Sequence, residues 1–329
     1  MAFSAFFLRC RTMIKPITNS QIWVTGASGV LGGEIARHFA YNTDRAVHAV
    51  VRRESASLQA AGIKRVLCRT VFDPNWMVGG FQNDTIIHCA GMSDPRKRFA
   101  STSELLEQEV TPHIRMLEGL LKMGWKGRFV YLSSGGTVYG NPESLPIKEN
   151  HSCDPINDYG MQKLFLEQSL SRLAREHDFE LVILRVANPY GSTASKITQG
   201  VIPILFTAFQ NNDTFPIFGD GSASRDYLYV DDFNDAVYRA ATRPMANTVT
   251  KLNIGSGIGV SLNQLIQEMG TMLGRKLNCT YEQNQFNVSS NVLCPEKAKI
   301  TLDWQATTSL SNGLNRTLDF YSKQSLGIA

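Results

Sequence analysis

Three glycines at three-residue spacing, in Thr25-Gly26-Ala27-Ser28-Gly29-Val30-Leu31-Gly32, stand between an apolar run, Ile22-Trp23-Val24, and an amphipathic helical pattern. A glycine-dense turn from strand to helix can tighten fully and bring backbone N–H groups against a pyrophosphate at the positive end of the helix. Gly26, Ser28, Gly29, Val30 and Gly32 are the positions that would cradle it. Around this turn, short β-branched runs alternate with longer helical patterns. Strands are expected at Gln21–Thr25, Ala46–Arg52, Arg65–Cys68, Thr85–Cys89, Arg128–Ser133 and Glu180–Arg185, and helices at Leu31–Tyr41, Thr102–Met123 and Asp158–His177. That alternation builds an α/β fold, a doubly wound parallel sheet with helices on both faces. After Asn188-Pro189-Tyr190-Gly191 the punctuation by Gly, Pro and Asn changes, and a smaller lobe begins. The expected division is a leader at residues 1–18, a cofactor-binding domain at 19–188 completed by 227–260, and a substrate-binding lobe from 189–226 and 261–329.

The 33 Lys plus Arg against 29 Asp plus Glu are scattered without a long basic run, which argues against nucleic acid as a partner. The six cysteines show no Cys-x-x-Cys and no Cys/His cluster at ligand spacing, so no metal is expected and the thiols read as reduced. The apolar patch near the N-terminus is interrupted by Arg9 and Arg11, and no segment reaches 18 uninterrupted apolar residues. The expectation is a cytoplasmic protein that does not enter a membrane.

The end of the second strand, where an acid would grip the ribose 2′-hydroxyl of NAD, reads Val50-Val51-Arg52-Arg53. Arginine there suits a 2′-phosphate, so NADP(H) is slightly favoured over NAD(H), with two solvated arginines as the alternative. Asp73 is a candidate acceptor for an adenine amino group, and Ala90 and Gly91 end the fourth strand where a cofactor would cross it.

Tyr159-Gly160-Met161-Gln162-Lys163 places a phenol and an ammonium on one helical face, where the lysine charge would lower the tyrosine pKa and fit it for general acid–base work. Alone the pattern is common by chance. Preceded by the glycine turn and by Ser133-Ser134, it is the best catalytic candidate in the chain.

Together these motifs resemble the extended short-chain dehydrogenases/reductases, in particular the nucleotide-sugar epimerases, dehydratases and 4-ketoreductases typified by UDP-galactose 4-epimerase. The resemblance covers roughly residues 20–323 and rests on Thr25–Gly32, the run from Phe129 to Gly140, Tyr159/Lys163, Leu184–Gly191 and Phe218–Tyr227. It implies a Rossmann cofactor domain, a nucleotide-diphosphate sugar as substrate, and a homodimer through the helices Thr102–Met123 and Asp158–His177, whose apolar residues have packing on the sheet as their alternative role. In the chemistry it implies, tyrosine moves the proton of a sugar hydroxyl while nicotinamide takes or returns hydride at the same carbon. It makes Tyr159 and Lys163 the catalytic pair, Lys163 also a cofactor contact, and Asn188 and Arg225 the holders of the diphosphate.

Three departures stand out. Gly135 occupies the place usually filled by the catalytic Ser or Thr, so Ser134, or else Thr137, must supply the hydroxyl. Gln283-Asn284-Gln285-Phe286-Asn287-Val288 lacks an arginine expected in the phosphate clamp, for which Lys297 and Lys299 are possible substitutes. Arg52-Arg53 is unusual for an epimerase that retains NAD. The expected function is an NAD(P)-dependent nucleotide-sugar C4 epimerase working through a 4-keto sugar. Its alternatives are an NADPH-dependent 4-keto-6-deoxy-sugar reductase and a non-catalytic dinucleotide-binding protein, whose mark would be a missing Tyr159 or Lys163.

Overall fold

The computed structural model describes residues 20–52, 58, 62–77, 82–92, 94–192, 200–283 and 290–325. The leader, Arg53 and residues 284–288 of the sequence reading lie outside them. Seven strands form one sheet: β1 (Ile22–Thr25), β2 (Val47–Val51), β3 (Ile63–Leu67), β4 (Thr85–His88), β5 (Arg128–Ser134), β6 (Glu180–Val186) and, from much later in the chain, β10 (Val249–Ile254). Their order is β10-β6-β5-β4-β1-β2-β3, and every neighbouring pair is parallel. The chain moves outward in one direction from β1 through β2 and β3, then returns to the other side of β1 with β4. The carboxyl ends of β1 and β4 therefore border the crevice where doubly wound sheets bind ligands.

Successive side chains of a strand point to opposite faces, and the two cores separate accordingly. Ile22, Val24, Val130 and Leu132 pack with Ile35 and Phe39 of α1 (Val30–Asn42), and with residues of two helices from later in the chain. Trp23, Ile86, Phe129 and Tyr131 face the other way, onto the helices that follow β4 and β5. The stretch Thr102–Met123, expected as one helix, is α2 (Thr102–Leu105), a π turn at Leu106–Val110 and α3 (Thr111–Lys122). Pro112 explains the break: it has no N–H for the Gln108 carbonyl, and its ring crowds that carbonyl. The next helix, α4 (Asp158–His177), is capped by Asn157, whose side chain accepts from Gly160 N at 2.8 Å.

After β6 the chain forms β7 (Asn188–Tyr190), α5 (Val201–Asn211), β8 (Phe215–Phe218) and β9 (Ser224–Tyr229). The chain then crosses back through α6 (Val230–Thr242) to β10, and continues as β11 (Gly259–Ser261), α7 (Leu262–Leu273), β12 (Cys279–Glu282), α8 (Glu296–Leu302) and α9 (Leu310–Ser325). Two small sheets, β11-β9-β7 and β12-β8, lie beside a separate core in which Leu205, Phe209, Leu265, Met269 and Leu314 meet Tyr190 and Tyr229. Asp231 and Asp232 lie inside the first turn of α6, not at its N-cap. Asp232 instead accepts from Thr307 N, Thr307 Oγ1 and Thr308 N, fastening the segment before α9.

Candidate active site

Two glycines of the β1–α1 turn are required by close backbone approach. A Cβ on Gly26, whose φ is +70°, would lie 2.7 Å from the Ala90 backbone nitrogen, and one on Gly32 would collide with the Gly26 carbonyl oxygen. The turn thus presses β1 against the end of β4 and brings α1 close beneath it. Gly29, the N-cap of α1, offers no side chain to the helix end, and the first turn carries no acid. An uncapped, acid-free helix N-terminus beside a glycine cradle fits the pyrophosphate of a dinucleotide. Ser28 is exposed on this turn, and Val30 begins the helix.

Arg52 is exposed directly after β2. Asp73 is N-cap of a one-turn helix at Pro74–Trp76 and accepts from Asn75 N at 3.0 Å. Ala90 and Gly91 follow β4, with the Ala90 backbone directly against Gly26 of the glycine turn.

On the far side of the crevice, Tyr159, Lys163 and Glu167 share one face of α4. Lys163 is buried, with Nζ donating to the Leu132 carbonyl at 3.0 Å and lying 5.5 Å from the centre of the Tyr159 ring. Burial pulls its pKa down to about 8, against the Coulomb pull of Cys89, Glu109 and Glu167. The Tyr159 phenol is pushed up to about 12, again by burial, while a hydrogen bond with Ser134 works the other way. The Tyr-x-x-x-Lys spacing predicts a lysine charge that lowers this phenol. Burial dominates, and the ammonium is turned to the Leu132 carbonyl. An oxidised nicotinamide bound in the crevice would bring a positive charge that favours the phenolate.

Ser134, at the end of β5, is therefore the hydroxyl that meets Tyr159, whereas the Thr137 hydroxyl is buried and makes no hydrogen bond. Replacing Ser134 by Ala is expected to lower kcat about 10- to 100-fold, the worth of one hydrogen bond to a charged phenolate. Thr137→Ala should change it less than about threefold. Steady-state kinetics of both variants check the assignment.

Asn188 and Arg225 come together on adjacent strands. Asn188 pairs in register with Tyr227, two residues from Arg225, so all three project from one face of the small sheet. Asn188 Nδ2 donates to the Asp226 carbonyl at 2.9 Å, and its Oδ1 lies close to Gly136, as does Ser134 Oγ. Arg225 donates to the Ser224 carbonyl at 2.9 Å. Asp226 fixes the loop: its carboxylate accepts from Ser256 N, Ser256 Oγ, Gly257 N and Leu293 N. Lys297 and Lys299 are both exposed on α8.

The family model described as the NAD dependent epimerase/dehydratase family matches residues 22–255, more than half of the chain. This chain belongs to the NAD-dependent epimerase/dehydratase family. Like the family, it is an NAD(P)-dependent enzyme of the extended short-chain dehydrogenase/reductase type. Among relatives of this family, the UDP-glucose 4-epimerase of Mycolicibacterium smegmatis is 27% identical over 255 residues, 77% of this chain and 80% of that one. A dTDP-4-dehydro-6-deoxyglucose reductase of Escherichia coli is 28% identical over 237 residues, 71% of this chain and 73% of that one. In three dimensions, the UDP-glucose 4-epimerase of Thermotoga maritima, solved with UDP-glucose, superposes with a TM-score of 0.81 at 26% identity, covering 93% of this chain and 99% of that one. MoeE5 in complex with UDP-glucose and NAD gives a TM-score of 0.80 at 25% identity, covering 93% and 100%.

Sequence reasoning passed over several polar residues that the structure places at this site. His88 is buried at the end of β4, with Nδ1 2.8 Å from Thr25 Oγ1 and Nε2 2.7 Å from Nδ1 of the buried His113. Gln162 is buried next to Lys163, and Asn291 donates to the Gly135 carbonyl at 3.1 Å. The only sequence signal was polarity inside apolar runs, as in Thr85-Ile86-Ile87-His88. Among the described residues there is no group of three or more His, Cys, Asp or Glu able to hold a metal, and no helix is long and apolar enough to cross a membrane. The five described cysteines form no disulfide.

Proposed function

We propose that this chain is a nucleotide-sugar C4 epimerase that works through a 4-keto sugar, with Tyr159 as the proton-transferring group. The observation that carries the reading is the Tyr159 phenol on one face of α4 with Lys163, close enough to Ser134 for its hydroxyl to favour the phenolate, with Asn188 and Arg225 on the adjoining small sheet. Gly26, Ser28, Gly29, Val30 and Gly32 hold the pyrophosphate of the dinucleotide, Ala90, Gly91 and Lys163 its nicotinamide half, and Asp73 and Arg52 its adenosine half. When bound, the nicotinamide accepts and returns a hydride at the sugar carbon. Tyr159 takes the C4 hydroxyl proton as the ketone forms and returns it after the sugar presents its other face. Ser134 holds the phenolate oxygen, and Lys163 supplies the neighbouring positive charge. Asn188 and Arg225 bind the diphosphate, Arg225 through a planar array of donors.

The test is to mix purified protein with UDP-, GDP-, CDP- and dTDP-hexoses without added cofactor and follow C4 configuration by NMR. A new epimer is the expected result, and a UDP-hexose the expected substrate given the relatives above. No new epimer with any of them would overturn the reading.

One observation favours a second reading, reduction of a 4-keto-6-deoxy sugar nucleotide at the expense of NADPH: Arg52 stands exposed where an NAD enzyme would hold its ribose with an acid. Replacing Arg52 by Ala is expected to weaken NADP binding about tenfold or more, the loss of a charge-assisted hydrogen bond, and to leave NAD affinity within about twofold. Calorimetric titration with both dinucleotides checks this. A cytoplasmic homodimer through α3 and α4 completes the proposal, and sedimentation velocity at micromolar concentration tests the dimer. Leu117, Leu120, Leu166 and Leu170 are buried in packing on the sheet, and Ile114, Leu121 and Phe165 pack on the same core while only partly buried, so that their exposed remainder would meet a partner.

A further inference from the structure

Six buried side-chain polar atoms among the described residues have no hydrogen-bond partner, and two of them, His113 Nε2 and Gln162 Oε1, belong to side chains that converge on Gly91. A Cβ on Gly91 would lie 3.3 Å from His113 Nε2 and 3.7 Å from Gln162 Nε2. His113 is 2% exposed and Gln162 is fully buried. Gln162 Nε2 donates to the Glu109 carbonyl at 3.1 Å, in the π turn that Pro112 opens, which leaves its oxygen as the free acceptor. Lys163, the next residue, has three N–H donors, and the Leu132 carbonyl takes one.

We propose that His113 is a positioning residue for Lys163, holding together with Gln162 a single buried water that accepts one N–H from the lysine. A water at this place has two hydrogens, one for Gln162 Oε1 and one for His113 Nε2, and a lone pair for the ammonium. All three bonds are satisfied, as buried waters usually require. The arrangement dictates a tautomer: His113 carries its hydrogen on Nδ1 and donates to His88 Nε2, and His88 donates from Nδ1 to Thr25 Oγ1. A neutral chain of this kind anchors the water to β1, the strand that leads into the glycine turn.

The groups that face His113 are consistent with a neutral ring. His88 meets it from β4, Lys163 acts on it from α4, and the Phe72 ring lies 4.6 Å away, centre to centre. Glu109, one turn earlier, is paired with Lys97 at 2.7 Å. Burial first, then the charges of His88 and Lys163, hold the His113 pKa well below its ordinary value, and burial with Lys163 pulls His88 down to about 3.

This inference rests on the reading of Tyr159 and Lys163 as the reacting pair, and its test has an arm that needs no turnover. In protein labelled with 15N-histidine at pH 7.5, long-range 1H–15N correlations should show His113 with Nδ1 protonated and Nε2 bare, the signal identified by its loss in His113→Gln. A hydrogen on Nε2, or an imidazolium, would overturn the proposal whether or not any sugar turns over. In the kinetic arm, His113→Leu removes the acceptor, weakens the lysine charge and raises the Tyr159 pKa. The acid limb of the kcat/KM profile for the converted UDP-hexose should move up by about one pH unit. Gln162→Leu should move it the same way, and His113→Gln, which restores an acceptor at the Nε2 position, should move it back. Profiles superimposable on the wild type in folded His113→Leu and Gln162→Leu proteins would refute the role.

Discussion

Replacing Tyr159 by Phe is expected to lower turnover of a UDP-hexose by a factor of about 10³ while leaving dinucleotide binding within about twofold, because only the proton-transferring oxygen is removed. The ring remains in place over Lys163, and no fold contact depends on the hydroxyl beyond its bond to Ser134. A loss of that size in kcat without a matching rise in KM identifies an interaction made in the transition state. Single-turnover kinetics and calorimetric titration with NAD check the two halves. A variant within tenfold of wild type would mean that another group moves the proton.

The second large effect concerns stability. Glu167, fully buried on the Tyr159–Lys163 face of α4, receives two donors of the buried Arg185 guanidinium, the nearer at 2.6 Å, and the Ser133 hydroxyl at 2.7 Å, with Lys251 Nζ 3.4 Å away. Arg185 also donates to the Tyr139 hydroxyl at 2.9 Å, which in turn donates to Asn253 Oδ1 at 2.7 Å. The network fastens α4 to β5, β6 and β10. Removing the carboxylate leaves Arg185 buried and uncompensated. Glu167→Ala is therefore expected to destabilise the protein by about 3–5 kcal/mol. Glu167→Gln, which keeps hydrogen-bonding oxygen and volume but not charge, should cost less. Urea unfolding of both variants measures the difference, and a loss below about 1 kcal/mol for Glu167→Ala would show the pair to be dispensable.

The cofactor half of the fold was legible because its signals are local. The glycine turn, the apolar runs and the 3.6-residue periodicity of α4 each depend on neighbours in sequence, and Asp158–His177 has the same limits in both readings. What escaped was long-range or hidden in a helix. Nothing local in Val249–Ile254 marks it as the strand beside β6, since its partner is nearly seventy residues earlier. The π turn at Leu106–Val110 follows from Pro112 but is masked by the helical pattern on either side. Thr25, His88 and His113 are 63 and 25 residues apart and meet only because β1 and β4 are neighbours and α3 packs against them. The choice between Ser134 and Thr137 was open in sequence because both are hydroxyls near one strand end. In the structure they differ in partner, and kinetics of the two variants decides their roles.

The most direct test of the central claim is conversion of UDP-[4-²H]glucose by purified protein with no added dinucleotide. The expected product is UDP-galactose that retains deuterium at C4, because the hydride leaves and returns within one active site while Tyr159 holds the proton. Failure to convert, accompanied by stoichiometric oxidation of NADPH on a 4-keto-6-deoxy sugar nucleotide, would contradict it and make the enzyme a reductase.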